Sequence, residues 1–268
     1  MKKNRIIPIL LLKNGWLVQS KGFNRYQNLG NPVTAVKRLS EWAVDELVYL
    51  DITTDDVYDM RRNDIKNENR GDFLSIIEDV SKFSFMPITV GGKINSLEDI
   101  EKRLSKGADK ISINTKAIED PSFIESAAKE FGSQCIVISL DAKTTQEGYR
   151  IFKNSGKMNT KLDVPGFCRK VQDLGAGEIL INSVDRDGEG NGYDLDLINE
   201  ACETVSIPVI AVGGVGEWSH FSEGFEKTKA DAFGAANIFH YQDQSVFLAK
   251  KYLFDKDYNV RKPALLRI

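Results

Sequence analysis

Eight short runs of apolar and β-branched residues recur along the chain, and segments with helical periodicity separate them. The strand-like runs are residues 5–11, 46–51, 87–90, 109–113, 135–141, 178–181, 208–212 and 230–234. The amphipathic helical patterns are residues 32–43, 72–83, 97–106, 121–131, 163–174, 195–205 and 220–227. This alternation predicts a parallel sheet, because a helical crossover returns the chain to the same end of each successive strand.

The number of units selects among the parallel-sheet folds. Eight β/α units in 268 residues match the (β/α)8 barrel, which typically needs about 250 residues. An open doubly wound sheet is the alternative, but its first strand is usually followed by a glycine fingerprint that Leu12-Lys13-Asn14-Gly15 does not supply. We therefore predict an α/β fold, a (β/α)8 TIM barrel, as one domain over residues 1–268.

The two halves of the chain resemble each other. Residues 45–53 resemble residues 177–183, and the run that ends in Gly91-Gly92 resembles the run that ends in Gly213-Gly214. Strands one to four then correspond to strands five to eight, so we predict a barrel built from two similar half-barrels.

Composition and charge exclude several classes of function. The formal net charge is -3, so no basic field is available for nucleic acid or an anionic membrane. The longest apolar run, residues 6–12, is too short to span a bilayer, and the N-terminus has no signal-peptide pattern. We therefore expect a cytoplasmic protein.

The cysteines and histidines do not form a metal-binding pattern. Their spacing fits buried thiols and structural histidines better than disulfides or a zinc site. We accordingly predict no metal. The residues concerned are Cys135, Cys168, Cys202, His220 and His240.

Glycine turns follow strands three and seven, where backbone N–H groups can approach an anion closely. The polar or small residues that end strands four and eight lie at the same end of a barrel, the usual position of its active site. This arrangement favours two phosphate-binding turns, although two tight turns without a ligand are the alternative. The candidate residues are Gly91, Gly92, Lys93, Asn114, Thr115, Gly213, Gly214, Ala236 and Asn237.

Asp141 ends the fifth strand, so its carboxylate is predicted to lie at the mouth of the barrel and to act as a general acid or base. A structural role beside Lys143 is the alternative. Asp51 and Asp187 add carboxylates at the same end, and like charges raise each other's pKa. The position equivalent to Asp141 in the first half is Leu11, which cannot transfer a proton. A symmetric two-carboxylate mechanism is therefore excluded.

Charged residues also occupy early positions in strands one, two, four and six. Their order predicts alternating charges around the barrel floor, where they can pair with one another. The ring is either a stabilising plug or a functional element. Its members are Arg5, Glu46, Lys110 and Glu178.

Further cations follow the first and second strands and are plausible anion contacts, although solvated loop charge is the alternative. In the long polar segment over residues 53–71 we also predict a mobile βα loop on the active face. The cations, together with one polar residue, are Lys13, Gln19, Lys21, Arg61, Arg62 and Lys66.

Several motifs resemble one family over nearly the whole chain. They include Arg5-Ile6-Ile7-Pro8, the run over residues 45–53, the run over residues 107–115 and Asp185-Arg186-Asp187-Gly188. Together they look like the cyclase (HisF-type) subunit of imidazole glycerol phosphate synthase.

This resemblance implies a function for each end of the barrel. In that family a glutaminase subunit docks on the floor, ammonia crosses the bore, and the mouth uses it to close an imidazole ring on a bis-phosphorylated ribulosyl substrate. The floor ring then forms an ammonia gate, Asp109 faces the partner, and no cofactor is implied. Ligand-binding positions of the family are matched by Asn114, Thr115, Asp187 with the adjacent Gly188, and Gly214.

The departures from the family are concentrated at the mouth. Leu11 stands where the family has a catalytic aspartate, while the second aspartate is matched by Asp141. Lys93 replaces a glycine, Gln19 a lysine, and Val212 and Asn237 replace serines.

A retained floor below an altered mouth favours a paralogous branch of the family, in which the barrel supplies ammonia to a separate amidotransferase that makes acetamidino sugars for surface polysaccharides. The acceptor would then be a phosphorylated or nucleotide-sugar molecule. One alternative is the histidine-pathway cyclase itself. Another is a non-catalytic barrel that activates its glutaminase and conducts ammonia.

Overall fold

The computed structural model describes residues 3–59 and 71–265. The strands in these ranges are β1 (Arg5–Lys13), β2 (Trp16–Lys21), β3 (Arg25–Gly30), β4 (Leu47–Asp51), β5 (Ile88–Gly91), β6 (Lys110–Ile113), β7 (Ile136–Thr145), β8 (Gly148–Lys153), β9 (Met158–Asp163), β10 (Glu178–Ser183), β11 (Val209–Val212) and β12 (Ala232–Ala235). The α-helices are α1 (Pro32–Glu41), α2 (Phe73–Ser81), α3 (Leu97–Ser105), α4 (Thr115–Glu119), α5 (Ser122–Phe131), α6 (Val164–Asp173), α7 (Leu195–Cys202), α8 (Trp218–Lys227) and α9 (Ser245–Phe254).

Eight of these strands close into a parallel barrel. Around the barrel they follow the order β1, β4, β5, β6, β7, β10, β11 and β12, and β12 pairs again with β1. Each of the eight predicted runs overlaps one of these strands, so the predicted (β/α)8 fold is confirmed.

Side chains alternate between the inside and the outside of the barrel. On β1, Ile6, Leu10 and Leu12 belong to the large core between strands and helices, whereas Ile7 and Ile9 belong to a separate small cluster. This period of two is the rule for a strand, whose successive side chains point to opposite faces. The barrel therefore has a helix-packed outer core and an independent inner one.

Two β-hairpins extend the barrel at its mouth. The segment after the first strand, predicted as a loop that contains Gln19 and Lys21, is instead the antiparallel pair β2 and β3. The chain enters this pair by reversing at the two-residue turn Asn14-Gly15, which joins β1 to β2. Its φ angles are 51° and 76°, as a type I′ hairpin turn requires. A second hairpin, β8 and β9, follows the equivalent strand β7 of the other half.

Most of the long segment after β4, the second strand of the barrel, lies outside the described residues. The predicted mobile loop over residues 53–71 falls largely there, as do Arg61, Arg62 and Lys66. None of the helices in residues 3–59 and 71–265 has the length and hydrophobicity of a membrane span.

Helix α9, which the sequence analysis did not predict, attaches the end of the chain to the barrel floor. Its Lys250 is completely buried, with Nζ 2.6 Å from Asp45 Oδ1 and 2.7 Å from the Ala43 carbonyl oxygen. The other oxygen of Asp45 accepts a hydrogen bond of 3.2 Å from the Ile6 amide. Burial lowers the pKa of Lys250, and Asp45 opposes this shift. The pair thus joins α9 to β1 and to the start of β4.

Removing Lys250 is expected to be costly, since Asp45 then keeps only the more exposed Arg261, whose Nε lies 3.2 Å from Asp45 Oδ1, as a cationic partner among the described residues. We predict that Lys250→Met lowers the free energy of unfolding by about 3–5 kcal/mol, measured by urea denaturation. Lys251→Met is the matched control, because Lys251 is exposed on the same helix. The control is expected to stay within about 0.5 kcal/mol of the wild type. Equal effects of the two substitutions would contradict the prediction.

Candidate functional site

The charged residues predicted at the floor form a closed ring. Arg5 Nη1 lies 2.7 Å from Glu46 Oε2, and the Arg5 Nη2 group also contacts Glu178. Lys110 Nζ lies 3.0 Å from one oxygen of Glu46 and 3.0 Å from one oxygen of Glu178. Thr89, which the sequence analysis missed, donates a hydrogen bond of 2.8 Å to Glu46.

Pairing offsets the cost of burying these charges. Glu46 and Glu178 are only 2 % and 5 % exposed. Burial lowers the pKa of Arg5, but the carboxylates of Glu178 and Glu46 outweigh it and hold this pKa above its ordinary value. Each cation of the ring contacts both carboxylates, so removing one cation would leave two carboxylates with a single cationic partner.

An apolar bore lies between this floor and the mouth. It consists of the inward side chains of the barrel strands, which form a cluster separate from the outer core. The buried members are Ile7, Ile9, Val48, Val137, Leu180, Ile210 and Ala232. On three strands the cluster begins one inward step above the ring, since Ile7 follows Arg5, Val48 follows Glu46 and Leu180 follows Glu178 at a spacing of two residues. An apolar lining of this kind disfavours ions much more than small neutral molecules.

A cavity of about 650 Å³ opens at the C-terminal ends of the strands. Its wall includes Leu11, Leu50 and Val212 from three barrel strands, and Phe23 and Tyr26 from the first hairpin. A volume of this size suits a small-molecule ligand. Leu11 is paired in register with Leu50, so the wall beside Leu11 is apolar.

Asp141 lies in this cavity with its carboxylate held by two amides. Asn114 Nδ2 donates to one oxygen at 3.0 Å and Asn182 Nδ2 donates to the other at 3.2 Å. Burial raises the pKa of Asp141 to about 6, although the hydrogen bonds from Asn182 and Asn114 act in the opposite direction. A carboxyl group with this pKa can both accept and return a proton near neutral pH.

Some of the predicted anion-binding residues line the cavity and others do not. Those in its wall are Gly92, Lys93, Asn114, Thr115, Asp187 and Ala236. Those outside its wall are Gly91, Gly188, Gly213, Gly214 and Asn237. Asn237 instead uses its Nδ2 group to donate a hydrogen bond of 2.7 Å to the Ser20 carbonyl oxygen in the first hairpin.

Close approach of the backbone explains the glycines of both turns. Gly92 has φ of +110°, and a Cβ atom there would lie 2.3 Å from the Asp51 carbonyl oxygen. Gly214 has φ of +96°, and its Cβ would lie 2.1 Å from the Gly192 carbonyl oxygen. Lys93 adopts φ of 53° although it is not glycine. Both turns are thus fixed by sterics, independently of a ligand.

Asp187 connects the cavity wall to the first hairpin. Its Oδ2 atom accepts hydrogen bonds from Ser20 Oγ at 2.8 Å and from the Phe23 amide at 3.1 Å. Burial raises the pKa of Asp187, and these hydrogen bonds oppose the shift. Asp187 therefore holds the hairpin against the mouth as well as lining the cavity.

Asp109 lies at the opposite end of the barrel. It is exposed just before β6, and its Oδ2 atom accepts a hydrogen bond of 2.8 Å from the Ile88 amide. The carboxylate is therefore fixed by the start of β5 while its residue stays open to solvent.

Sequence reasoning missed several residues of the cavity wall. Asn182 is the clearest case, since it is the register partner of Asp141 on the neighbouring strand β10. The usable signal was its position directly after the predicted run over residues 178–181, as Asp141 ends the predicted run over residues 135–141. Lys157 and Ser155 come from the second hairpin, which the strand and helix patterns did not reveal.

A closed (β/α)8 barrel with a charged floor, an apolar bore and a polar mouth defines the class of this protein. A family model described as histidine biosynthesis protein matches residues 5–245. Over 97% of this chain and 100% of the relative, it is 41% identical to imidazole glycerol phosphate synthase subunit HisF of Natranaerobius thermophilus. The corresponding subunit of Geobacillus kaustophilus is 43% identical over the same shares. The chain therefore belongs to the HisF family of histidine biosynthesis proteins.

The comparisons confirm the family that the sequence motifs indicate. They do not support the acetamidino-sugar branch that the sequence analysis favours, because these relatives carry the name of the histidine-pathway enzyme. The relation of Leu11 to catalysis stays an interpretation of the sequence.

The hydrogen bonds to Asp141 lead to a testable prediction about the pKa of its carboxyl group. We expect a carbon-13 NMR titration to give a pKa of about 6 for Asp141. Asn182→Ala is expected to raise this pKa, because the lost amide donor stabilises the ionised carboxylate. Asn154→Ala, at the exposed rim of the same cavity, is the control and should leave the pKa unchanged. A pKa near 4 in the wild type would contradict this view of the site.

Proposed function

We propose that the chain is the ammonia-receiving barrel subunit of a glutamine-dependent complex of the imidazole glycerol phosphate synthase type. One observation carries this proposal: the closed charge ring lies at one end of an apolar bore, and the cavity with Asp141 lies at the other. Apolar walls disfavour ammonium because a charge without a partner is costly to bury. The bore would therefore deliver neutral ammonia, the nucleophilic form, and shield it from protonation by bulk water.

The proposed partner is a glutaminase that docks on the floor. Asp109 is exposed at this end of the barrel, and the charge ring is part-buried directly inside it. A glutaminase seated here would release ammonia next to Lys110 and Arg5. Opening one of the ion pairs of the ring would let the molecule enter the bore.

At the mouth, Asp141 would orient the incoming nitrogen and take up the proton that it loses on bond formation. The Gly92–Lys93 turn, with Asn114 and Thr115 opposite, would hold an anionic group of the acceptor. The roles proposed for Gly91, Gly188, Gly213, Gly214 and Asn237 as ligand-binding residues stay predictions, since these residues lie outside the cavity wall.

The better supported acceptor is the bis-phosphorylated ribulosyl intermediate of histidine biosynthesis. The support is the name of the relatives, which match this chain over 97% of its length at about 41% identity. In this reaction Asp141 would serve as the proton-transfer group without help from position 11.

A second candidate acceptor is a nucleotide sugar, used together with a separate amidotransferase that makes acetamidino sugars. The apolar wall favours it, because Leu11, Leu50 and Val212 lie around the same cavity as Asp141. Leu11 is paired in register with Leu50 and Val18, neither of which can transfer a proton. A barrel that only conducts ammonia and activates its glutaminase is the outcome in which neither acceptor reacts.

The gate is tested by Lys110→Ala in the complex with glutaminase. Product formed per glutamine hydrolysed is expected to fall by about tenfold, because Glu46 and Glu178 lose their shared cation. Product formation from added ammonium salt should change much less, since external ammonia can enter through the mouth. Lys106→Ala, which removes an exposed ion pair with Glu78, is the control. If Lys110→Ala leaves both routes unchanged, the gate assignment fails.

The acceptor and the role of Asp141 are tested with ammonium salt as nitrogen source. We expect conversion of the ribulosyl intermediate, with kcat/KM about 100-fold lower in Asp141→Asn. In the wild type, kcat/KM corrected for the fraction of free ammonia should fall below pH 6, because Asp141 is then protonated and cannot accept a proton. Turnover only with a nucleotide sugar and its amidotransferase would favour the second candidate.

A further inference from the structure

Arg103 is a buried cation just behind one of the two glycine turns. It lies on α3, is 7 % exposed and does not belong to the cavity wall. Its guanidinium carbon is 5.9 Å from the centre of the Phe73 ring. Neither the sequence motifs nor the proposed mechanism assigns it a role.

The guanidinium makes its hydrogen bonds to backbone carbonyl oxygens. Nη2 donates to Gly92 O at 2.8 Å and, more weakly, to Lys93 O at 3.4 Å, while Nη1 donates to Asp99 O at 2.7 Å. Its Nε atom is buried without a partner, and no ion pair to Arg103 occurs among residues 3–59 and 71–265. Burial lowers the pKa of Arg103 and outweighs the carboxylates of Asp99 and Asp51, which favour its charged form without forming an ion pair with it. A cation buried in this way is costly, so stability alone does not explain this residue.

By fixing these carbonyl groups, Arg103 also fixes the direction of the N–H groups in the same peptide bonds. In a trans peptide the C=O and N–H groups point in opposite directions. Holding Gly92 O therefore directs the Lys93 N–H away from Arg103, and holding Lys93 O does the same for the Ile94 N–H. Lys93 and Ile94 both line the cavity. Neither N–H has a hydrogen-bond partner in the described part of the chain.

We propose that Arg103 is a positioning residue for a phosphate group of the acceptor. It holds two carbonyls on the far side of the turn so that the Lys93 and Ile94 N–H groups face the cavity, and its charge adds a favourable field behind them. The inference rests on the proposed function in one respect, namely that the acceptor is anionic. Phosphate binding at this turn is already predicted from the sequence; the inference adds the residue that orients the turn and the two N–H groups that would bind the phosphate.

Inorganic phosphate is the probe, measured by calorimetry and by amide NMR on the full chain without glutaminase or acceptor. The wild type is expected to bind phosphate with shifts of the Lys93 and Ile94 amide signals. Arg103→Met should weaken binding about tenfold, and Arg103→Lys should fall between the two because it keeps the charge but cannot bridge two carbonyls. Lys102→Met, which removes the same charge from an exposed position on the same helix, should bind phosphate like the wild type.

The kinetic readout separates positioning from catalysis. With the acceptor that supports turnover, Arg103→Met should raise KM and leave kcat within about twofold. If Arg103→Met does not fold, the inference is tested by the phosphate affinity of Arg103→Lys and by the shifts of the Lys93 and Ile94 amide signals in the wild type. Phosphate binding unchanged in the Arg103 variants, or absent from the Lys93 and Ile94 amides of the wild type, would overturn the inference. Because this titration needs neither partner nor acceptor, its failure is distinct from failure of the gate or of Asp141.

Discussion

Closure of the parallel sheet is the constraint on which the rest of the molecule depends. Pairing of β1 with β12 and of β7 with β10 fixes the register around the ring. Since side chains alternate along each strand, that register decides which residues face the bore at each height. It places Glu178 at the floor and Asn182 beside Asp141. A slip of one residue in β10 would turn both of them into the outer core.

The register also places two different kinds of buried charged group at opposite ends of the barrel. Charged groups at the floor survive burial because Arg5 and Lys110 each contact both Glu46 and Glu178. Asp141 at the mouth has amide partners instead of a cation, so burial dominates and raises its pKa to about 6. At the floor, burial is outweighed by the carboxylates, which raise the pKa of Arg5, whereas the mouth holds a group that can change protonation near neutral pH. The apolar layer between them keeps the two environments apart.

Much of the barrel was predictable from the sequence because its strands are short, apolar and regularly spaced. The floor ring was predictable for the same reason, since the strand starts at Arg5, Glu46, Lys110 and Glu178 are unambiguous. The chain reversal that leads into the first hairpin could have been predicted from Asn14-Gly15, which is a strong local signal for a tight turn between strands. The sequence analysis considered only strands separated by helices and so did not use it. Helix α9 was missed because its apolar residues are less clearly confined to one face than those of the other helices.

The parts of the site that escaped prediction depend on contacts across the fold. Asn182 is identified as a partner of Asp141 only once β7 and β10 are paired. Arg103 is ten or more residues from the turn that it contacts, on a helix whose polar pattern resembles that of any exposed helix face, and Lys102 beside it is exposed. Sequence periodicity cannot distinguish these two neighbours, because only the packing of α3 against the Gly92–Lys93 turn decides which is buried.

The asymmetry between floor and mouth bears on how such a barrel can acquire a new acceptor. In the described part of the chain, no hydrogen bond or ion pair joins the ring to a residue of the cavity wall, so substitutions around the cavity should leave the ion pairs of the floor intact. In the proposed function, ammonia delivery would require the bore and the ring, whereas acceptor choice would depend on side chains such as Leu11, Lys93 and Val212 and on the turn that Arg103 contacts. A change of acceptor would therefore require altered residues at one end of the strands only, and the same delivery system would serve either candidate reaction.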